Sequence, residues 1–365
     1  MKQGPAPPRR AIVATRLLAA GCAVALSAAL ATTDAAANGQ SASVTIVAVG
    51  DSYASGEGAI GTGWVTAEKA CHRSTLAGPQ VAARLLRRPG TTIRFEHLAC
   101  SGAEADGGGG LTSLLGNSGQ LERLGPIVKE TGTIDALTVS IGGNDAKFKQ
   151  VLELCLALPF DCYLNPKMVQ DLAEAFADLP RRLDAVFAAV PTTVKHVFIT
   201  EYPDPTVGLF RLRCGTVLTR PFHEFEKISL AEAEWLSRKF VVPLNAALSD
   251  AVGRAAGRGT TFTFVRGISE RFATHGYCSG IDGMDPLSAF HPRNAIPRFI
   301  STPVDSFTSQ GDGDGSMHPN EGGHQAIGEA LAEAMRFVMP APVPLPPRRP
   351  PSEAVCERRP WTPGC

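Results

Sequence analysis

A repeated pattern limits what this chain can fold into: short apolar runs stop at glycine, and stretches of helical spacing lie between them. Residues 44–49 run apolar into Gly50-Asp51-Ser52, and residues 134–141 run mostly apolar into Gly142-Gly143-Asn144-Asp145. Residues 91–98 alternate Ile93 and Phe95 with polar neighbours and lead into Cys100-Ser101-Gly102. Runs this short, bounded by glycine, read as buried strands, and residues 196–200 and 261–265 supply two more. Residues 74–88, 120–130, 169–190 and 222–256 read as helices, with Pro180 placed to kink the third and Pro243 to interrupt the fourth; residues 325–338 form the closing helix. Strands alternating with helices specify βαβ units. The expected fold is α/β: a three-layer α/β/α sandwich around a five-stranded, mainly parallel sheet of flavodoxin-like type, over residues 44–339. At 365 residues, 44% of them hydrophobic, the chain is long enough to cover such a sheet on both faces. Residues 266–317 show no strong periodicity, and a loop that long in a compact domain is usually functional. The proline-rich tail, residues 340–365, is expected to lie extended outside the core.

The formal net charge is zero, so no basic field argues for nucleic acid. Arg9, Arg10 and Arg16 precede an apolar stretch over residues 17–31 and then Ala35-Ala36-Ala37. That order is a secretory signal peptide, residues 1–37, whose apolar stretch is short for a membrane span. Of nine cysteines, Cys22 falls in this segment. The others are Cys71, Cys100, Cys155, Cys162, Cys214, Cys278, Cys356 and Cys365, an even set in an exported chain, which argues for disulfides. Pairing sequence neighbours is the simplest arrangement. The chain has none of the close CxxC pairs that a zinc site needs.

Ligands of an open α/β sheet bind beyond the carboxyl ends of its strands, and three glycine-bearing loops fall there. Ser52 is the candidate nucleophile. Acyl transfer by serine also needs a base and donors aimed at the developing oxyanion. Gly102 offers a backbone N–H, and Asn144 offers a carboxamide that donates without carrying charge. Each residue alone could equally serve a turn; their meeting at three successive strand ends favours chemistry. Among eight histidines, His318 stands directly before the closing helix, where Pro319 and Asn320 fix the chain. His291 lies in the aperiodic stretch and is the weaker candidate, because a base must be held in fixed geometry. His72, His97, His196, His223 and His275 read as surface or packed residues, and His324 as structural, bonding backbone near the helix start.

These four blocks, in this order, resemble the GDSL-type esterase/lipase family, the SGNH hydrolases, in its secreted actinobacterial branch. The family's serine, glycine, asparagine and histidine fall on Ser52, Gly102, Asn144 and His318, and the resemblance runs from the first strand to the last helix. It implies that Ser52 attacks an ester carbonyl while His318 takes its proton. The Ser52 N–H, the Gly102 N–H and the Asn144 side chain would hold the oxyanion, and water would release the acid from an acyl-enzyme. No metal or organic cofactor is implied. The branch implies disulfides 71–100, 155–162 and 214–278, leaving 356–365 as an extra pair in the tail. Asp51 is expected to tie down its turn. The chain departs from the pattern at the third triad member: the usual aspartate, three residues before the histidine, is Gly315 here. The resemblance implies a backbone carbonyl in that role, that of Gly315; the Asp314 side chain, substituting through an altered turn, is the second candidate.

Two other readings fail on their motifs. An α/β-hydrolase elbow needs G-x-S-x-G, and Ala54 stands at the last position. An EF-hand loop beginning at Asp312 needs glycine and glutamate where Met317 and Gly323 stand, leaving only a looser calcium site around Asp312 and Asp314. The expected activity is that of a secreted esterase or lipase acting on acyl lipids or small acyl esters. An acetylesterase of acetylated polysaccharide and a non-catalytic carbohydrate-binding or adhesive protein are the alternatives. An acyl pocket is expected under residues 203–222 and 266–317, which carry Leu209, Phe210, Phe290 and Phe299. The expected partner is a small-molecule or lipid ester, with transient contact to a lipid interface, and the chain is expected to be a monomer.

Overall fold

Five strands form one sheet in the computed structural model: β1 (Ala42–Gly50), β2 (Thr91–His97), β3 (Ile134–Ser140), β4 (Val194–Thr200) and β5 (Thr261–Val265). Their order is β2-β1-β3-β4-β5, and every neighbouring pair is parallel. The structure describes residues 42–60, 64, 69–156, 161–216, 228–256, 259–279 and 298–339. The expected signal segment and the tail, with Cys356 and Cys365, lie outside these residues, as do His223, Phe290 and His291.

The strand order places the site. The chain leaves β1 outward to β2 and then crosses back to β3, so the carboxyl ends of β1 and β3 diverge at a topological switch point, where open α/β sheets open a crevice. Ile46, Val47, Ala48 and Val49 are all fully buried, as a parallel strand covered on both faces requires.

The helices are α1 (Ser52–Ser55), α2 (Gly78–Leu85), α3 (Leu124–Thr131), α4 (Phe148–Leu156), α5 (Pro166–Ala189), α6 (Leu230–Leu236), α7 (Val242–Ala255), α8 (Ile268–Phe272), α9 (Pro303–Gln310) and α10 (Glu321–Met335). On one face α2 and α10 pack together; on the other, α5 packs on α7. The α2–α10 approach needs Gly328, where a Cβ would stand 2.4 Å from Val81 and 2.8 Å from the Gly78 carbonyl.

Several boundaries differ from the periodicity, each for a local reason. The third helix begins at Leu124 rather than at residue 120, because Gln120 is buried outside the helix and bonds the end of β1. The closing helix begins earlier, at Glu321, because the Asn320 side chain accepts from Gly323 N and caps it. The fifth starts at Pro166 behind Asn165, which accepts from Met168 N in the same way. The interruption expected near Pro243 is a π turn over Ser237–Val241; proline has no N–H to continue an α ladder, and the chain widens just before it. Residues 266–317 are not aperiodic throughout, since α8 and α9 lie within them.

Disulfides join Cys71 to Cys100, Cys155 to Cys162 and Cys214 to Cys278. By loop-closure entropy the 214–278 bridge, with a separation of 64 residues, contributes about 4 kcal/mol, and the short 155–162 bridge about 2 kcal/mol.

Candidate active site

The site is built outward from the end of β1. Gly50 has φ 127°, and a Cβ there would stand 2.0 Å from the Ser140 carbonyl of β3. Its N–H donates to Gln120 Oε1 at 2.6 Å, while Gln120 Nε2 donates to the Gly50 carbonyl at 3.0 Å and the Leu111 carbonyl at 2.8 Å. One buried carboxamide thus clamps the strand end. The Asp51 N–H donates to the Ser140 carbonyl at 2.9 Å. The Asp51 carboxyl caps α1, accepting from Tyr53 N at 3.1 Å, from Ser140 Oγ at 3.0 Å and from the Tyr202 hydroxyl. Burial pushes this carboxyl up to about 7, with the Tyr202, Ser140 and Tyr53 bonds opposing it. Both oxygens are occupied inside the turn, so Asp51 anchors rather than faces a substrate. Ser52 follows as the first residue of α1, where a backbone N–H has no intrahelical partner.

His318 is delivered from the opposite side. Residues 317–320 pair with residues 299–301: Met317 N donates to the Ser301 carbonyl at 2.9 Å, Ser301 N to the His318 carbonyl at 2.8 Å, and Asn320 N to the Phe299 carbonyl at 2.9 Å. The Tyr53 hydroxyl donates to the Met317 carbonyl at 3.0 Å, and the rings of Tyr53 and Phe148 flank the imidazole at 5.3 and 5.8 Å between centroids. Held this way, His318 Nε2 lies 2.7 Å from Ser52 Oγ. Its Nδ1 lies 3.1 Å from the Ser316 carbonyl. A carbonyl only accepts, so Nδ1 carries the proton and Nε2 is left as the acceptor for the serine O–H.

This corrects the expected orienting group. The Gly315 carbonyl does not reach the ring; it accepts from the backbone N–H of His318 at 3.1 Å. Met317 takes a left-handed turn, φ 60°, between Ser316 and His318, and the carbonyl two residues before the histidine, not three, meets Nδ1. The Asp314 carboxylate is directed elsewhere, to Lys149 Nζ at 3.3 Å, in an exposed pair. Exposed pairs are weak, so Asp314→Asn is expected to leave kcat within about threefold of wild type; a loss of a hundredfold in steady-state kinetics would return the role to that carboxylate.

The other two blocks meet in the same cleft. Gly102, φ 79°, is exposed, and a Cβ there would touch nothing within 4 Å. Asn144 Nδ2 donates to the Ala103 carbonyl at 2.9 Å; the amide has a second hydrogen. Beside it, the Asp145 carboxylate accepts from Ala105 N at 3.0 Å. Together Asn144 and Asp145 bind the loop after β3 to the loop after β2. Ser52, Gly102, Asn144 and His318 all line a cleft of about 740 Å³. Burial lowers the His318 pKa, with Glu57 and the Ser316 carbonyl opposing, which keeps the ring neutral as a proton acceptor must be.

Apart from His318, the histidines whose positions are described serve other ends. His324 is fully buried and bonds backbone, accepting from Gly78 N at 3.2 Å and meeting the Glu57 carbonyl at 3.0 Å. Burial holds its pKa at about 4. His72 is more than a packed residue: it lines the cleft and pairs with Glu57 at 2.7 Å.

No family model matches the chain. It is 33% identical over 291 residues to Lipase 1 of Streptomyces coelicolor, an alignment covering 76% of this chain and 90% of that protein. The chain belongs to the GDSL-type esterase/lipase family, the SGNH hydrolases. It is a carboxylic ester hydrolase. A lipase of Streptomyces rimosus is 28% identical over 252 residues, covering 67% of this chain and 80% of that one. The crystal structure of an extracellular lipase from Streptomyces rimosus matches with a TM-score of 0.55 at 23% identity, over 80% of this chain and 99% of that one, and shows the shared fold.

In this SGNH hydrolase the apolar wall of the cleft differs from expectation. Phe148 and Leu152 of α4 line it. Phe210 is exposed, and Phe299 packs on Phe272 and His275. Neither lines the cleft. Helix α4 carries Phe148, Val151, Leu152 and Cys155 at helical spacing, with the exposed Leu154 off that stripe, in a run short enough to pass as loop.

Proposed function

We propose that the protein is exported and hydrolyses acyl esters, small or lipid, through an acyl-enzyme on Ser52. The observation that carries this reading is the 2.7 Å contact between Ser52 Oγ and His318 Nε2 at the floor of the cleft. As Ser52 Oγ bonds the ester carbonyl carbon, its proton passes to His318 Nε2. The carbonyl oxygen becomes an oxyanion, which the Ser52 N–H, the Gly102 N–H and the second hydrogen of Asn144 Nδ2 would hold. Collapse breaks the C–O bond, and the departing alcohol takes the proton from His318. Water then attacks the acyl group, gives its proton to the same nitrogen, and the acid leaves as Ser52 regains its hydrogen. Throughout, the Ser316 carbonyl holds Nδ1–H and fixes the ring.

Export is supported by the three disulfides, which persist in oxidising compartments, and by the basic, apolar and small-residue order of residues 1–37. For the substrate, Phe148 and Leu152 offer an acyl chain an apolar wall, while Lys149, Glu153 and Asp314 add charge to the lining. A series of aryl esters of increasing acyl length tests this. Each methylene laid on the wall is expected to raise kcat/KM about threefold over the first few carbons. Fastest hydrolysis of the acetate, with a steady fall thereafter, would contradict an acyl-chain wall.

A further inference from the structure

Behind the cleft, bonded to two residues of its lining, His72 and Ser101, lies a carboxylate that the four blocks do not explain. Glu57 is fully buried, and a buried acid is rarely tolerated unless paired. Its partners come from separate parts of the chain. Oε2 lies 2.7 Å from His72 Nδ1, Oε1 accepts from Gln310 Nε2 at 2.6 Å, and the Ser101 hydroxyl also bonds the carboxylate. Ser101 adjoins Gly102, and the Cys71–Cys100 disulfide lies beside both His72 and Ser101. Gln310 reaches back with its own oxygen to Gly58 N at 3.3 Å. Gly58 in turn lies against the histidine: a Cβ there would stand 3.2 Å from His318 Cβ. One carboxylate therefore ties the loop after β1 to the loop after β2 and to the segment leading to His318.

We propose that Glu57 is the positioning carboxylate of this site: it holds the loops of Ser52, Gly102 and His318 in register and supplies the buried negative charge that steadies His318 once it carries the serine proton. The inference rests on the Ser52–His318 reading above. It also answers a deficit in that reading, since the Ser316 carbonyl fixes the ring but carries no net charge to set against an imidazolium. Glu57 stays ionised: burial pushes its pKa up, but His72, His318, Ser101 and Gln310 outweigh it and hold it at about 2. The same charge is the largest influence opposing burial on His318. The other groups around the pair are few. Tyr53 is kept neutral by burial, and His324 is neutral for the same reason. Asp314, though paired with Lys149, adds its charge and its backbone carbonyl to the influence of Glu57 on His318, and Asp312 accepts from Gln310. His72, raised by its bond to Glu57, is the counter-cation.

The test is the pH dependence of kcat/KM on a soluble aryl ester, between about pH 4.5 and 9, where a histidine base sets the acid limb. The wild-type limb is expected below about 6.5 because burial disfavours the imidazolium. Glu57→Gln keeps the shape and removes the charge. It is expected to lower kcat about tenfold or more, change KM less, and move the acid limb to lower pH by about half a unit or more, since the imidazolium loses its anion. His72→Gln keeps a donor to Glu57 and removes the cation; its limb is expected to move to higher pH. Limbs that coincide with wild type in both variants would overturn the proposal, as would a Glu57→Gln enzyme that melts earlier with unchanged kcat. If Glu57→Gln does not fold, the direction of the His72→Gln limb decides alone. Ser52→Ala in the same assay separates the two readings: its inactivity with unmoved limbs sinks only the role of Glu57, whereas surviving activity sinks the nucleophile.

Discussion

Ser52→Ala and His318→Ala are each expected to lower kcat by about 10³-fold or more, and the double variant by little more than either alone. The two side chains act as one unit: the serine is a weak nucleophile unless the histidine takes its proton, and the histidine has nothing to deprotonate without the serine. The residual rate in each variant is expected to come from what the substitutions leave untouched, the amides and the Asn144 carboxamide proposed to hold the oxyanion. Removing Ser52 Oγ deletes one hydrogen bond, to His318, so Tm should stay within a few degrees of wild type. Steady-state kinetics with a melting curve checks both halves. Single variants retaining a tenth of the activity, or losses that multiply in the double variant, would contradict a coupled pair.

Gly50→Ala is expected to have the largest effect on folding. Two independent faults coincide there: a left-handed φ of 127° and a Cβ placed 2.0 Å from the Ser140 carbonyl. Neither relaxes cheaply, because the Ser140 carbonyl accepts from Asp51 N and Gln120 clamps both backbone groups of Gly50. Backbone strain with a main-chain clash in a buried strand end falls among the severe classes of substitution, about 4 kcal/mol or more. The measurement is soluble yield and denaturant midpoint. A soluble Gly50→Ala protein with a midpoint near wild type would show that the strand end can shift, and with it Ser52.

What the sequence made visible, and what it hid, divides along distance in the chain. The runs at residues 44–49 and 134–141 betray themselves because burial on both faces demands contiguous apolar residues, and glycine marks where each strand stops. Ser52, Gly102 and Asn144 are legible because each follows a strand end, and His318 because it stands directly before the closing helix. Gln120 is not, since a polar residue between helical ones reads as solvated, and its partner Gly50 is 70 residues away. Glu57 hides for the same reason: in a glycine-rich turn an acid reads as exposed, and the side chain that meets its Oε1, Gln310, lies 253 residues on. Spacing alone puts the orienting carbonyl one position too early, because it counts residues, while the left-handed φ of Met317 decides which carbonyl faces Nδ1. Helix α4 has only nine residues, too few for periodicity to separate it from loop, yet its Phe148 and Leu152 form the apolar wall.

The central claim is that Ser52 is the nucleophile and His318 its base. Reaction with a serine-directed phosphonate, followed by intact mass and peptide mapping, tests it most directly. The account predicts a single adduct on the peptide containing Ser52, loss of ester hydrolysis in step with labelling, and no labelling on the same timescale in His318→Ala. An adduct on another serine, or full hydrolysis with Ser52 unmodified, would contradict it.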